Sequence, residues 1–265
     1  MMLSNIIIIS LIGHVLGDYY FQSNKMLRDE YKKFSQLILH FVEYSFPFII
    51  FLLFIEVTSK LVLYFLLISL SHYLIDFIKF LVNKSNFYKN NNEKYIQIEW
   101  FIYLLDQTLH IIVICIISIF FFDYGLPFEI KPIIRHAFMR INLDTIVVLR
   151  WILLLLCIYK PSNTTFIRLF SQYKPNDNNV SSNNELIKYK VNNKSTGAII
   201  GFLERLLIVI FISINQYSAV GLILTAKSIA RYERISKDQE FAEYYLIGTL
   251  TSVLLSILLY LAIHP

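Results

Sequence analysis

The chain has 265 residues, of which 56% are hydrophobic and only 16% charged, and its mean hydropathy is +0.57. A soluble domain carries about 25% charged residues, so this composition excludes a soluble globular fold of comparable size. The net charge of +5 would raise nucleic acid as a partner for a soluble protein, but here the basic residues collect in a few short loops, which points to membrane orientation and membrane lipids instead.

Apolar runs long enough to cross about 30 Å of hydrocarbon at about 1.5 Å per residue recur along the chain. They fall at 3–23, 34–55, 58–83, 100–123, 142–159, 197–215, 217–233 and 241–263. The expected fold is therefore all-α, a polytopic integral membrane helical bundle of seven or eight transmembrane helices. The first run has no basic region before it and no small-residue cleavage site, and it continues into His14 and Asp18, so it reads as a retained span rather than a signal. The run at 217–233 carries Lys227 and Arg231 and reads equally as a half-span or an interfacial helix. Cys115 and Cys157 sit singly inside apolar runs and read as packing residues, not as a disulfide or a CxxC site.

Loop charge sets the expected orientation. Residues 24–34 hold Lys25, Arg28, Lys32 and Lys33; residues 84–99 hold Lys84, Lys89 and Lys94; residues 160–195 hold Lys160, Arg168, Lys174, Lys188, Lys190 and Lys194. The positive-inside rule assigns these loops to the cytoplasm and the N-terminus to the outside. The loop at 124–141 disagrees, since it falls outside yet carries Lys131, Arg135 and Arg140. Two asparagine-rich stretches, Lys89–Lys94 and Pro175–Asn184, read as polar linkers. The expected division is a four-helix membrane half at 1–124 and a C-terminal membrane half at 125–265 containing the polar linker 160–195.

The polar residues inside the spans carry the functional signal. His14 and Asp18 lie four apart in the first span, His72 and Asp76 in the third, and Asp106 and His110 in the fourth, while His40 lies early in the second. Residues at i and i+4 share a helix face, so each pair can present both side chains to one point. The first and third spans run in one direction and read His then Asp; the fourth runs back and reads Asp then His. Antiparallel geometry therefore brings all three aspartates to one depth, with their histidines one turn further in. A carboxylate in hydrocarbon costs at least about 2.5–3.5 kcal/mol, so three of them must share positive charge. Inward-facing carboxylates and imidazoles are how helical bundles build metal sites. Three matched pairs favour this over a proton or ion relay and over polar packing between helices. The expected ligands are His14, Asp18, His40, His72, Asp76, Asp106 and His110, around one or two divalent ions, zinc foremost. A metal-bound water is the expected nucleophile, with Asp18, Asp76 or Asp106 as the catalytic carboxylate or general base.

Gln22 and Gln107 adjoin this layer and read as supporting amides that orient ligands. Lys79 reads as a lysine whose ammonium snorkels to the membrane boundary. In the C-terminal half, Glu204, Arg205, Lys227, Arg231 and Glu243 read as an ion-pair network, with a clamp for a substrate phosphate as the alternative. Gly197 and Gly201 form a GxxxG that reads as close helix packing.

The segments HVLGDYYFQS, SHYLIDFIK, LLDQTLH, GFLER, GLILTAKSIARYE and FAEYYLIGTL, with the early His40, resemble the DUF3307 family of uncharacterised bacterial membrane proteins. The HxxxDxxK and DQxxH pieces also resemble membrane-bound proteins described as metal-dependent hydrolases, and more distantly the zinc phospholipase C and nuclease group. The resemblance implies a membrane bundle and supports the site, but carries no established activity. The expected function is metal-dependent hydrolysis of a phosphoester or lipid head group at a cytoplasm-facing site. An ion- or proton-coupled transporter or channel is the alternative, and a non-catalytic membrane scaffold a further one. Because the outer halves of the first four spans are mainly apolar, the expected cavity opens inward only.

The orientation is directly testable. Single cysteines placed at Asn91 and Asn179 should resist a membrane-impermeant thiol reagent in intact cells and react after permeabilisation; labelling of both from outside reverses the topology.

Overall fold

The computed structural model describes residues 2–22, 34–84, 92–170 and 184–264. Among these the chain is helical throughout, apart from turns and one isolated antiparallel bridge between Ile55 and Ile130. Helix α1 (Met2–Val15) runs into a π-helical turn at Leu16–Phe21, followed by α2 (Phe34–Phe51), α3 (Ser59–Lys84) and α4 (Asn92–Asp123). Then come α5 (Pro132–Arg140), α6 (Thr145–Phe170), α7 (Asn184–Ser213), α8 (Tyr217–Ala230), α9 (Tyr232–Lys237) and α10 (Gln239–Ile263). Among the described residues, five segments are long and apolar enough to cross a membrane: Phe34–Phe51, Ser59–Val82, Trp100–Asp123, Thr145–Phe170 and Gln239–Ile263. Asn5–Phe21 and Tyr217–Ala230 are shorter apolar helices.

Several boundaries differ from the sequence expectation. Residues 92–99, 160–170 and 184–195, expected in polar linkers, extend α4, α6 and α7. Helix elongation needs only one residue fixed per added hydrogen bond, so a stable apolar segment carries its polar neighbours with it. Residues 24–33, 85–91 and 171–183, with Lys25, Arg28, Lys32, Lys33, Lys89 and Lys174, lie outside the described residues. At 14 residues, α8 reaches about 21 Å, short of the hydrocarbon thickness.

The long helices are inverted relative to a soluble protein. Leu39, Leu74, Leu109 and Ile116 are exposed, while His40, His72, Asp76 and His110 are buried. That arrangement suits helices whose surroundings are hydrocarbon.

The chain forms two compact units, Met1–Leu156 and Cys157–Pro265, whose boundary falls within α6. In the first unit, α3 packs against α2 and α4, and α1 against α2 and α4. Their core includes Ile6, Tyr44, Phe48, Tyr64, Phe65 and Ile114. The segment after α4, expected as an irregular basic loop, is tied to the end of α2. The Glu56 amide donates to the Glu129 carbonyl at 2.9 Å, the Lys131 amide to Phe54 at 3.0 Å, and Lys131 Nζ to Leu52 at 3.3 Å and Leu53 at 3.0 Å. Lys131 thus satisfies carbonyls at a helix C-terminus, where a cation is favoured. This gives one of the three discordant charges a structural role, and Pro132 then starts α5.

In the second unit, α7 packs against α8 and α10. Pro161 lies inside α6, where its missing N–H leaves a carbonyl without a donor. Ser162 Oγ donates to the Cys157 carbonyl at 2.8 Å and Arg205 Nε to the Ile158 carbonyl at 2.6 Å. The GxxxG pair makes no close helix contact: nothing lies within 4 Å of a Cβ placed on Gly197, and at Gly201 the near atoms belong to Arg205 of the same helix.

The tight approach to another helix's backbone is instead at Gly17, in the π turn. A Cβ there would lie 2.6 Å from Tyr44 Cδ2 and 3.0 Å from Tyr44 Cα, so helix backbone would have to move. Gly17→Ala should cost about 1–3 kcal/mol and lower the thermal midpoint in detergent. Gly197→Ala, with open space around it, should be neutral or stabilise by up to about 1 kcal/mol. Equal midpoints for the two variants would contradict this packing.

Candidate metal centre

In the first unit, α1 with its π turn, α2, α3 and α4 bring the seven sequence-selected side chains into one layer. His14 comes from α1, Asp18 from the π turn, His40 from α2, His72 and Asp76 from α3, and Asp106 and His110 from α4. His14, His40, His72 and His110 are each 2% exposed, Asp76 3% and Asp106 9%. The Asp18 side chain is 10% exposed.

Most of the close contacts run between helices rather than within the i,i+4 pairs. His40 Nε2 and His72 Nε2 are 3.2 Å apart. Asp18 Oδ1 lies 3.2 Å from His72 Nε2 and 3.4 Å from His40 Nε2, and Asp76 Oδ2 lies at the same two distances. Of the three i,i+4 pairs only His72–Asp76 is close, at 3.2 Å. His14 Nε2 is 3.9 Å from Asp18 Oδ2, and His110 Nδ1 is 3.8 Å from Asp106 Oδ1. The π turn accounts for the first of these departures. It adds a residue to the turn that carries Asp18, and so re-aims that carboxylate away from its own helix toward α2 and α3. Such insertions are frequent at functional sites.

Five edges of the four-atom set His40 Nε2, His72 Nε2, Asp18 Oδ1 and Asp76 Oδ2 thus measure 3.2–3.4 Å. A tetrahedral ion with nitrogen and oxygen ligands at about 2.0–2.1 Å has edges of about 3.3–3.4 Å. The residues present therefore fit a divalent ion in both donor chemistry and spacing. Three overlapping groups can hold one: His14, Asp18 and His72; His40, His72 and Asp76; Asp76, Asp106 and His110. His14 Nε2 and His110 Nε2 are buried with no hydrogen-bond partner, a state buried polar atoms seldom take without a further function.

Residues around the layer hold it in shape. Gln107 Nε2 donates to Asp18 Oδ2 at 3.2 Å, and its Oε1 accepts from Tyr19 Oη at 2.9 Å; Tyr19 Oη also meets Tyr103 Oη at 2.7 Å. Gln22 ends the π turn, half-buried, and takes part in none of these bonds. Tyr44 stacks on His72 with ring centroids 3.5 Å apart and planes 3° from parallel, and its hydroxyl lies 3.4 Å from His14 Nδ1. Lys79, expected at the membrane boundary, turns inward, with Nζ 3.1 Å from Asp106 Oδ2. Sequence reasoning missed Tyr19, Tyr44, Tyr103 and Lys79. The HxxxDxxK spacing contained the signal for Lys79, since a residue three on from Asp76 stays near its face.

Residues 6–139 match the family described as Protein of unknown function (DUF3307). The chain belongs to the DUF3307 family. No curated protein and no solved structure matches it. The DUF3307 match covers all seven residues of the layer together with Lys79, Tyr19, Tyr44, Tyr103 and Gln107. Glu204, Arg205 and Lys227 lie beyond it. In the second unit Lys227 Nζ pairs with Glu204 Oε2 at 2.7 Å, while buried Arg205 serves the α6 carbonyl.

The two glutamines provide a test of this supporting shell. Gln107→Leu removes one hydrogen bond from the Asp18 carboxylate and one from Tyr19 and should cost about 1–3 kcal/mol of stability, read as a lower thermal midpoint. Gln22→Leu should leave the midpoint within error of wild type.

Proposed function

We propose that this DUF3307 protein is a membrane-embedded, metal-dependent hydrolase acting on a phosphoester or lipid head group. The observation that carries the reading is the set of 3.2–3.4 Å edges among His40, His72, Asp18 and Asp76, in a bundle where an unbalanced carboxylate is costly. One divalent ion, zinc foremost, binds to these four, with His14, Asp106 and His110 beside it in the same layer as the remaining candidate ligands. A divalent ion in such a site supplies Lewis acidity and activates water at neutral pH. The chain's own contribution is to hold the ligands rigid through Gln107 and Tyr44, to exclude bulk water, and to offer a carboxylate, Asp18, Asp76 or Asp106, as proton acceptor.

The protein is read as an inner-membrane bundle of seven or eight spans, counting α7 and the two shorter apolar helices, with its N-terminus outside and the site near the cytoplasmic side. Its partners on this reading are membrane lipids rather than nucleic acid. The distant resemblance to zinc phospholipases and nucleases agrees in donor chemistry.

Ion- or proton-coupled transport is the second reading, favoured by one observation. Tyr64 Oη lies 2.6 Å from Ser10 Oγ and 2.7 Å from Ser118 Oγ, forming a buried hydroxyl cluster across α1, α3 and α4, where mainly apolar packing was expected. Both serines also donate to carbonyls of their own helices, at 2.8 and 2.7 Å, which ties up their protons and favours a structural role for the cluster.

Detergent-purified wild type should retain a divalent ion that His72→Ala loses. Phosphate or head-group release from phospholipid vesicles should stop on chelation and fall by at least about 100-fold in Asp76→Asn. Proteoliposomes with a pH- or cation-sensitive dye should show no flux above empty vesicles. Flux abolished by Asp76→Asn, without hydrolysis, would replace the enzyme reading with transport.

A further inference from the structure

Asp76 belongs to two of the three overlapping groups. Beyond the four-atom set lies the second one, Asp76, Asp106 and His110, with ligand atoms within 4.8 Å of one another. His110 Nδ1 is 2.8 Å from the Asp106 carbonyl, a contact that requires the proton on Nδ1 and leaves Nε2 as a lone pair. That Nε2 is buried and has no hydrogen-bond partner, and the ring lies between His72, at 4.3 Å, and His14, at 5.4 Å. A buried imidazole lone pair next to two carboxylates is a donor set for a cation.

The cation at Asp106 in this structure is the Lys79 ammonium, 3.1 Å from Oδ2. Charge decides what this means. With the four histidines neutral, as ligation requires, the layer carries three carboxylates. One divalent ion and one ammonium balance them. Two divalent ions with the lysine still in place would leave an excess of about two positive charges in a buried apolar layer, against about one once the lysine has left, so the lysine and the second ion disfavour each other. The Lys79 side chain is 16% exposed, more than any aspartate of the layer, and a lysine stem is flexible enough to carry its ammonium out toward water.

We propose, resting on the metal reading above, that the layer binds one divalent ion at His40, His72, Asp18 and Asp76, and that Lys79 is the built-in cation of a second site at Asp76, Asp106 and His110. A second divalent ion enters only as the lysine leaves. Lys79 therefore sets whether the centre is mononuclear or dinuclear, with Asp76 as the carboxylate common to both positions.

The test counts ions. Full-length protein in detergent is stripped with chelator, dialysed against zinc at a series of free concentrations, and analysed for bound metal per folded chain. Wild type and Lys79→Arg should hold one tight equivalent. Lys79→Met should hold two, with the second bound at least about tenfold more tightly than any second equivalent in wild type. Lys79→Met with Asp106→Asn should return to one. Should Lys79→Met fail to fold, Lys79→Gln, which keeps a donor to Asp106 without the charge, is measured in its place. Two equal equivalents in wild type, or a single equivalent in the folded charge-removed variant, overturns the role of Lys79 and leaves the metal reading standing. A wild type that takes up no zinc at all overturns both.

Discussion

Three carboxylates buried in an apolar helical bundle need shared positive charge, and the rest of the first unit follows from that constraint. Asp18, Asp76 and Asp106 come from separate elements, so no one helix can neutralise them. Convergence of these carboxylates on the buried imidazoles and on Lys79 sets the rotation of α1, α2, α3 and α4 about their axes, because each turns its histidine or aspartate inward. The apolar residues one position away, Leu39 beside His40 and Leu109 beside His110, then face outward, where hydrocarbon accepts them. Polar burial and apolar exposure are thus two results of one electrostatic requirement.

The same requirement explains the locally unusual backbone. A regular α-helix would direct Asp18 along the face that carries His14. The π turn redirects it to His72 and His40, at 3.2 and 3.4 Å. That geometry is possible because Gly17 lets the turn lie against the Tyr44 backbone. Tyr44 in turn stacks on His72 and reaches His14. One missing side chain therefore connects helix packing to ligand orientation, and orientation by surrounding groups is what makes a ligand set selective.

The second unit shows how the same type of side chain can serve the fold. Arg205 is buried, yet its Nε answers a carbonyl near Pro161 in α6, while Glu204 and Lys227 answer each other. Each of these bonds lies inside the second unit and joins neighbouring helices, the role that buried polar groups commonly take where water is scarce.

Much of the layer was legible in the sequence because helical periodicity is rigid. The four-residue spacing of HVLGD, HYLID and DQTLH, and its reversal in the fourth span, suffice to put three aspartates at one depth and their three histidines one turn further in. The all-helical character and the apolar spans follow from composition and run length. Tertiary structure alone decided which atoms touch: the close set draws Asp18, His40, His72 and Asp76 from the π turn, α2 and α3, because an inserted residue and a glycine contact re-aimed Asp18. It also decided the direction of Lys79, since a stem of four carbons reaches either the boundary or Asp106, and only the position of the neighbouring helix selects between them. The ends of α4, α6 and α7, and the capping of α2 by Lys131, escaped sequence reasoning for a similar reason. Helix propagation and distant carbonyls are settled by what packs nearby, and local composition does not record it.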